Sequence, residues 1–340
     1  MFRRCLLTCI LVLGLHASAC ATQEFRATPI SLADQVGVGE TYAGIRLLGA
    51  LRLARTEING QRLCGLSGLA WDEDAGILYI LSDFGALFHL RPEFNQQGHL
   101  TRIQPVAAYP LRDARDRPLR FPYNDAEGLA IRQGDNAIQG DTELLISFER
   151  RPRVVCYAPT GHWRGDEKLP APLRNRRRYR DENQALEAIT FHPRWGLLVG
   201  TEAPLRNEPA DQVRLFQLDG GHSWSYPLAP ALGSALVAME ALPNNDLLTL
   251  ERAFVAPLRP LIISLRRTSL PTPGEATPLT VADVAVFDSS QGWLLDNFEG
   301  LTHHREQRFF MISDDNCSAW QSTLLVYFAL LPARLETTPR

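Results

Sequence analysis

The stretch Asp296–Asn316, DNFEGLTHHREQRFFMISDDN, decides the fold. It carries an acid at its start, Glu299, and two at its end, Asp314 and Asp315. Two short apolar runs lie between them, separated by a polar turn, which is the signature of a β-hairpin. Four other stretches align with it: GLSGLAWDEDAGILYILSDFG from Gly65, DAEGLAIRQGDNAIQGDTELLISFERR from Asp125, ALEAITFHPRWGLLVGTEAP from Ala185 and ALVAMEALPNNDLLTLERAF from Ala235. Taking Ser67, Glu127, Glu187, Glu240 and Glu299 as equivalent, the steps are 60, 60, 53 and 59 residues. A strand repeat of this length points to an all-β fold, a β-propeller.

Each step leaves room for two more strands, such as ALFHL with RIQPVAAY and VRLFQL with SWSYPL. The fifth copy has only STLLVYFALL after its hairpin, so its outer strand is expected from the N-terminal AGIRLLGALRLA, closing the ring without a free sheet edge. Five four-stranded blades are counted; a sixth stays open if residues before Thr56 form a degenerate blade. The domain is expected over residues 42–335, after a linker over 21–41.

In a blade, the first strand lines the channel and the second runs back beside it. The start of one and the end of the other therefore share a face. This pairs Ser67 with Asp83, Glu127 with Glu149, Glu187 with Glu202, Glu240 with Glu251, and Glu299 with Asp314 and Asp315. The sum is a ring of carboxylates at one mouth. Like charges so close raise each other's pKa or recruit a cation. Hard oxygen donors select Ca²⁺, with Mg²⁺ as the other option. The metal-ligand candidates are Glu127, Glu187, Glu240, Glu299 and Asp83. The catalytic candidates are Asp314, Asp315, Glu149 and Glu251. Arg150 and Arg252, just past second-strand acids, are candidates for substrate binding. A purely structural ring, its acids capping amides or pairing with arginines, is the competing reading.

The repeated EGL, the S-x-E and S-D-D strand ends and the DNFEGL…ISDDN block resemble the exported phytase-like family, named for an esterase-like activity of phytase, over about Cys64–Leu330. The resemblance implies a propeller whose acids cleave a phosphoester or ester. The matching positions are Glu127, Glu187, Glu299, Asp83, Glu149, Glu251, Asp314 and Asp315. The first copy departs from the motif, with LSGL in place of EGL. Three functions follow as expectations: a metal-assisted hydrolase of phosphate or related esters, a non-catalytic ligand- or protein-binding propeller, and a lactonase-like calcium propeller.

The chain of 340 residues is 45% hydrophobic and 21% charged, so it can bury a large core. Its net charge of −3 gives no basic surplus for nucleic acid, and a monomer acting on a small-molecule ester is expected. Arg3 and Arg4, the apolar run to Leu15 and the small residues Ala17–Ala19 read as a signal peptide over residues 1–20. The protein is thus expected to be exported, periplasmic or extracellular. Ala17-Ser18-Ala19 suits cleavage to a free protein, whereas Cys20 suits a lipid anchor on the membrane. Export permits disulfides. Cys64 precedes the first inner strand and Cys317 follows the last blade's second strand, so ring closure predicts a Cys64–Cys317 bond. Cys156 is expected to stay a small buried hydrophobe.

Overall fold

Strands that are apolar along their whole length must be covered on both faces. Leu66–Asp72 and Ile77–Ser82 meet this condition, with every residue buried. The outermost strand of the same sheet, Leu100–Pro110, is largely exposed or half-buried. The computed structural model describes residues 24–272 and 278–332, so the expected signal peptide, with Cys20, lies outside the described residues.

Five antiparallel sheets form the ring. Blade 1 runs Leu66–Asp72, Ile77–Ser82, Ala86–Phe94, Leu100–Pro110 from the axis outward. Blade 2 runs Ala126–Arg132, Glu143–Phe148, Arg153–Tyr157, Trp163–Glu167. Blade 3 runs Leu186–His192, Gly196–Thr201, Gln212–Gln217, Ser223–Pro227, and blade 4 Ser234–Ala241, Asp246–Ala253, Ile262–Ser269, Thr280–Asp288. Blade 5 takes Asn297–Arg305, Arg308–Asp314 and Thr323–Leu330 from the C-terminal end, then Ile45–Leu53 from the N-terminal end. That last pairing spans Leu53↔Thr323 to Ile45↔Leu330, so the ring is fastened by backbone hydrogen bonds between the two ends of the fold. Residues before Thr56 supply this closing strand and two short strands paired with it, Ala27–Pro29 and Thr41–Tyr42, and no sixth blade is present among the described residues.

The expected linker is corrected by the structure. Ala27–Pro29 pairs with Leu51–Leu53, and Leu32, Ala33 and Val36 are buried against blades 4 and 5. These apolar side chains find cover on the ring, so the segment is part of the propeller and does not tether it. The first and last blades are also joined covalently, by a Cys64–Cys317 disulfide with Cα atoms 5.1 Å apart. Cys156 is a buried free thiol.

Candidate functional site: an acidic mouth on the propeller axis

The inner strands share one local device. In every blade the pairing of first and second strands shifts register near its start: after Leu66, Ala126, Leu186, Leu236 and Phe298. Such a bulge re-aims the residue that follows. That residue is Ser67, Glu127, Glu187, Val237 and Glu299 in blades 1 to 5. The next is small in each case: Gly68, Gly128, Ala188, Ala238 and Gly300. The third is apolar and buried: Leu69, Leu129, Ile189, Met239 and Leu301. The EGL motif thus reads as a mouth residue, a spacer and a channel plug. The spacer is small because the inner strands nearly touch. A Cβ on Gly128 would clash with the Glu187 carbonyl oxygen and lie 2.5 Å from Ser147 Oγ.

Oxygens of Glu127, Glu187 and Glu299 all lie within 4.8 Å of one another. So do those of Glu149, Glu187 and Glu202, and those of Asp125, Glu127 and Glu149. A second ring holds the residue that follows the partner of each pre-bulge residue: Asp83, Glu149, Glu202, Arg252 and Asp314. Together they line a cavity of about 810 Å³.

This cluster is poorly neutralised. Arg252 donates to Glu202 at 2.7 Å and lies 3.3 Å from Glu299, while Asn297 orients Glu299 through a 2.7 Å hydrogen bond. Arg150 sits 3.2 Å from Asp125. Glu149 accepts the Ala185 N–H at 2.6 Å, and Asp314 accepts the Asn316 N–H at 2.7 Å. Among the described residues, no hydrogen bond or ion pair reaches the carboxylates of Glu127 and Glu187, and Glu187 is only 4% exposed. Burial, then neighbouring carboxylates, hold Glu127, Glu187 and Glu299 well above the usual carboxylate range. Asp83 is pushed up to about 8 by burial and then by Asp314, and Asp314 to about 6 by burial. For Arg252 burial works downward, but the charges of Glu299, Glu202 and Glu187 outweigh it and raise its pKa.

Three expected site residues stand elsewhere. Glu240 does not join the ring: blade 4 is in register through Val237, three residues earlier, so Glu240 lies at the opposite mouth. There it accepts from Thr190 Oγ1 at 3.3 Å, and burial raises it to about 8. Glu251 points into the blade, taking the Tyr226 hydroxyl at 2.6 Å, the Ala229 N–H at 2.7 Å and Arg266 at 2.8 Å. Asp315 turns away from the axis to bind Arg55 at 2.5 Å and the N–H groups of Gly65 and Cys317 at 3.0 Å, bracing the disulfide. Successive strand residues face opposite ways, so Asp314 and Asp315 cannot both face the mouth. Conversely, Asp125 and Asn297 belong to the site and were not singled out from sequence. The polar residue two places ahead of the glutamate, Asp125 in DAEGL and Asn297 in DNFEGL, was the available signal.

Fold and site define a five-bladed β-propeller with an acidic mouth. The family described as Phytase-like: Esterase-like activity of phytase matches residues 61–317, and the chain belongs to this family. No curated protein matches the chain. Among solved structures, the Myceliophteria thermophila Cps50 (Swd1) β-propeller domain is similar at 13% identity and a TM-score of 0.38, over 84% of this chain and 91% of that one. The fold is read from the strand pairings and not from that likeness.

Proposed function

We propose that the acidic mouth holds a divalent cation, Ca²⁺, and hydrolyses a phosphate ester or related ester. The observation that carries this reading is the pair Glu127 and Glu187: inward-facing carboxylates that no hydrogen bond or ion pair reaches among the described residues, beside a third at Glu299. Buried uncompensated charge costs several kcal/mol, so such a cluster protonates or takes a cation. Carboxylate oxygens in this number suit the irregular, high coordination of calcium better than the strict octahedron of magnesium. Once bound, the cation supplies charge neutralisation and polarises a phosphoryl or carbonyl oxygen.

The chain's own residues divide the remaining work. Glu127, Glu187 and Glu299 form the cage. Arg252 and Arg150, at the mouth's rim, hold the substrate anion by charge-assisted hydrogen bonds. Asp314, whose carboxyl sits near 6, takes the proton of the attacking water, with Glu149 beside the cage as the alternative base. The disulfide fits an oxidising compartment, which supports export.

Turnover of p-nitrophenyl phosphate, its diester and p-nitrophenyl acetate, with Ca²⁺ and with EGTA, tests the reading. Calcium-dependent hydrolysis of a phosphate ester, lowered about 10²-fold by Asp314→Asn, is expected. Saturable calcium binding without turnover of any of the three would make this a binding propeller instead.

A further inference from the structure

We infer that the chain carries a second ligand site, a groove on the flank of blade 2 that binds a ring bearing a negative charge. The groove measures about 920 Å³ and shares no lining residue with the acidic mouth. It lies between the loop that leaves blade 1 and the outer strands of blade 2, and it holds an unusual set of side chains.

Three exposed aromatic side chains line it: Phe121 is 70% exposed, Tyr123 53% and Trp163 39%, with Arg150 over one face of Phe121 at 5.0 Å and Arg151 over Tyr123 at 5.7 Å. Single exposed aromatics are ordinary, but three in one concave groove form a surface for a flat partner. Trp163 is held in place, since its indole N–H donates to Asp166 at 3.1 Å. Arg153 lies with its guanidinium 3.6 Å from the centre of the Phe148 ring and 6.0 Å from that of Tyr123. It donates to the carbonyl oxygens of Arg151 and Tyr123, and among the described residues no carboxylate forms an ion pair with it, Asp166 acting on it only through its charge.

The charge of the groove selects the partner. Arg117 is neutralised by Asp113 at 2.6 Å. Arg120 is exposed, and no side-chain hydrogen bond or ion pair reaches it among the described residues. Two arginines, Arg120 and Arg153, therefore stand against one unpaired acid, Asp166, with stacking surfaces between them. A planar or sugar ring can lie on the aromatic faces while its carboxylate, sulfate or phosphate takes the fork of Arg120. An aryl phosphate and a sugar acid both have this chemistry. The mouth, where nine acids face two arginines, would repel either without a cation, so the two sites are separable.

The experiment is calorimetric titration of the full chain in EGTA, which leaves the mouth without calcium. The probes are phenyl phosphate and glucuronate, with benzyl alcohol and methyl glucoside as uncharged counterparts. Saturable binding of at least one anionic probe is expected, at least about tenfold tighter than its neutral counterpart. Which anion binds tells the aryl source from the sugar source. Arg120→Ala and Trp163→Ala should each weaken that binding about tenfold or more. Arg120 is exposed and unpaired, so its variant keeps the wild-type melting temperature and the loss cannot be blamed on unfolding. No saturation by either anion at up to about 10 mM would overturn the site. So would binding that needs calcium, or binding that Arg120→Ala leaves intact. Only binding that needs calcium would bear on the mouth, by placing the anion there and not in the groove.

Discussion

Arg252 stands 3.3 Å from Glu299 in a blade whose own ring residue is not an acid but Val237. Blade 4 thus contributes a cation where blades 2, 3 and 5 contribute carboxylates, and the mouth has a built-in but incomplete counterion. Replacing Arg252 with Met removes it. Breaking a buried pair costs about 3–5 kcal/mol, and the partial exposure here brings the expected loss nearer the lower figure. Urea unfolding in EGTA should show that loss, and excess calcium should restore most of it. A variant as stable as wild type in EGTA would mean that the acids do not depend on Arg252.

The pH dependence has a definite sign. A carboxyl with a raised folded pKa loses its proton in the unfolded chain first, so raising the pH favours unfolding up to the folded value. With Asp314 at about 6, Asp83 at about 8, and Glu127, Glu187 and Glu299 also raised, calcium-free protein should lose stability steadily as pH climbs from about 4 to about 8. Calcium displaces those protons, so its stabilising effect should grow over the same range. Melting curves at several pH values, with and without calcium, check both slopes. A calcium-free melting temperature that rises through this range would contradict the assignment.

Gly128→Ala should be costly although it adds one carbon. The new methyl would press on the Glu187 carbonyl oxygen and the Ser147 hydroxyl, and the inner strands of blades 2 and 3 would have to part. Overpacking of this kind costs about 1–3 kcal/mol. Gly60→Ala removes a glycine with open space around its Cβ, although φ of +77° adds backbone strain. The urea midpoint of Gly128→Ala should fall further than that of Gly60→Ala, and the reverse order would count against the packing account.

The Cys64–Cys317 bond spans 253 residues of sequence. Loop entropy on that scale gives an upper figure of about 5 kcal/mol, and removal of native disulfides commonly costs about 2–5. Because Asp315 binds the backbone on both sides of the bond, the double Ser variant should also loosen the seam between blades 1 and 5. Hydrogen exchange should rise first in Ile45–Leu53 and Thr323–Leu330. Uniform protection across all five blades would show that backbone pairing alone holds the ring.

Much of this was legible in the sequence, and the misses have physical causes. The hairpin repeat gave the blades, and the spare strand in Ala43–Ala54 gave the closure, because both follow from apolar periodicity. Aligning the copies on their acids put Glu240 in the ring. The bulge sets the register, and its mark is the small-then-apolar pair, which VAM in blade 4 shares with SGL, EGL and EAI. The Val237 alignment would have followed from that pair. Asp314 and Asp315 differ only in strand parity, which two adjacent acids do not reveal. Asp125 and Asn297 lie at the lip of the mouth, just before and at the start of their inner strands, where the apolar pattern has not yet begun. The linker reading failed because Leu32, Ala33 and Val36 are too sparse to form a pattern of their own.

The most direct test of the cation cage is Glu187→Gln, followed by thermal unfolding and calorimetry with calcium. The wild-type protein should bind calcium at the axis and melt at least about 5 °C higher in saturating cation. Glu187→Gln should reverse both halves of that behaviour. Without calcium it should melt above wild type near pH 8, because the cost of burying the Glu187 carboxyl among other acids is gone, and calcium should add little. If wild type shows no calcium-dependent shift, or Glu187→Gln keeps the full shift, the three axial glutamates are not a cation site.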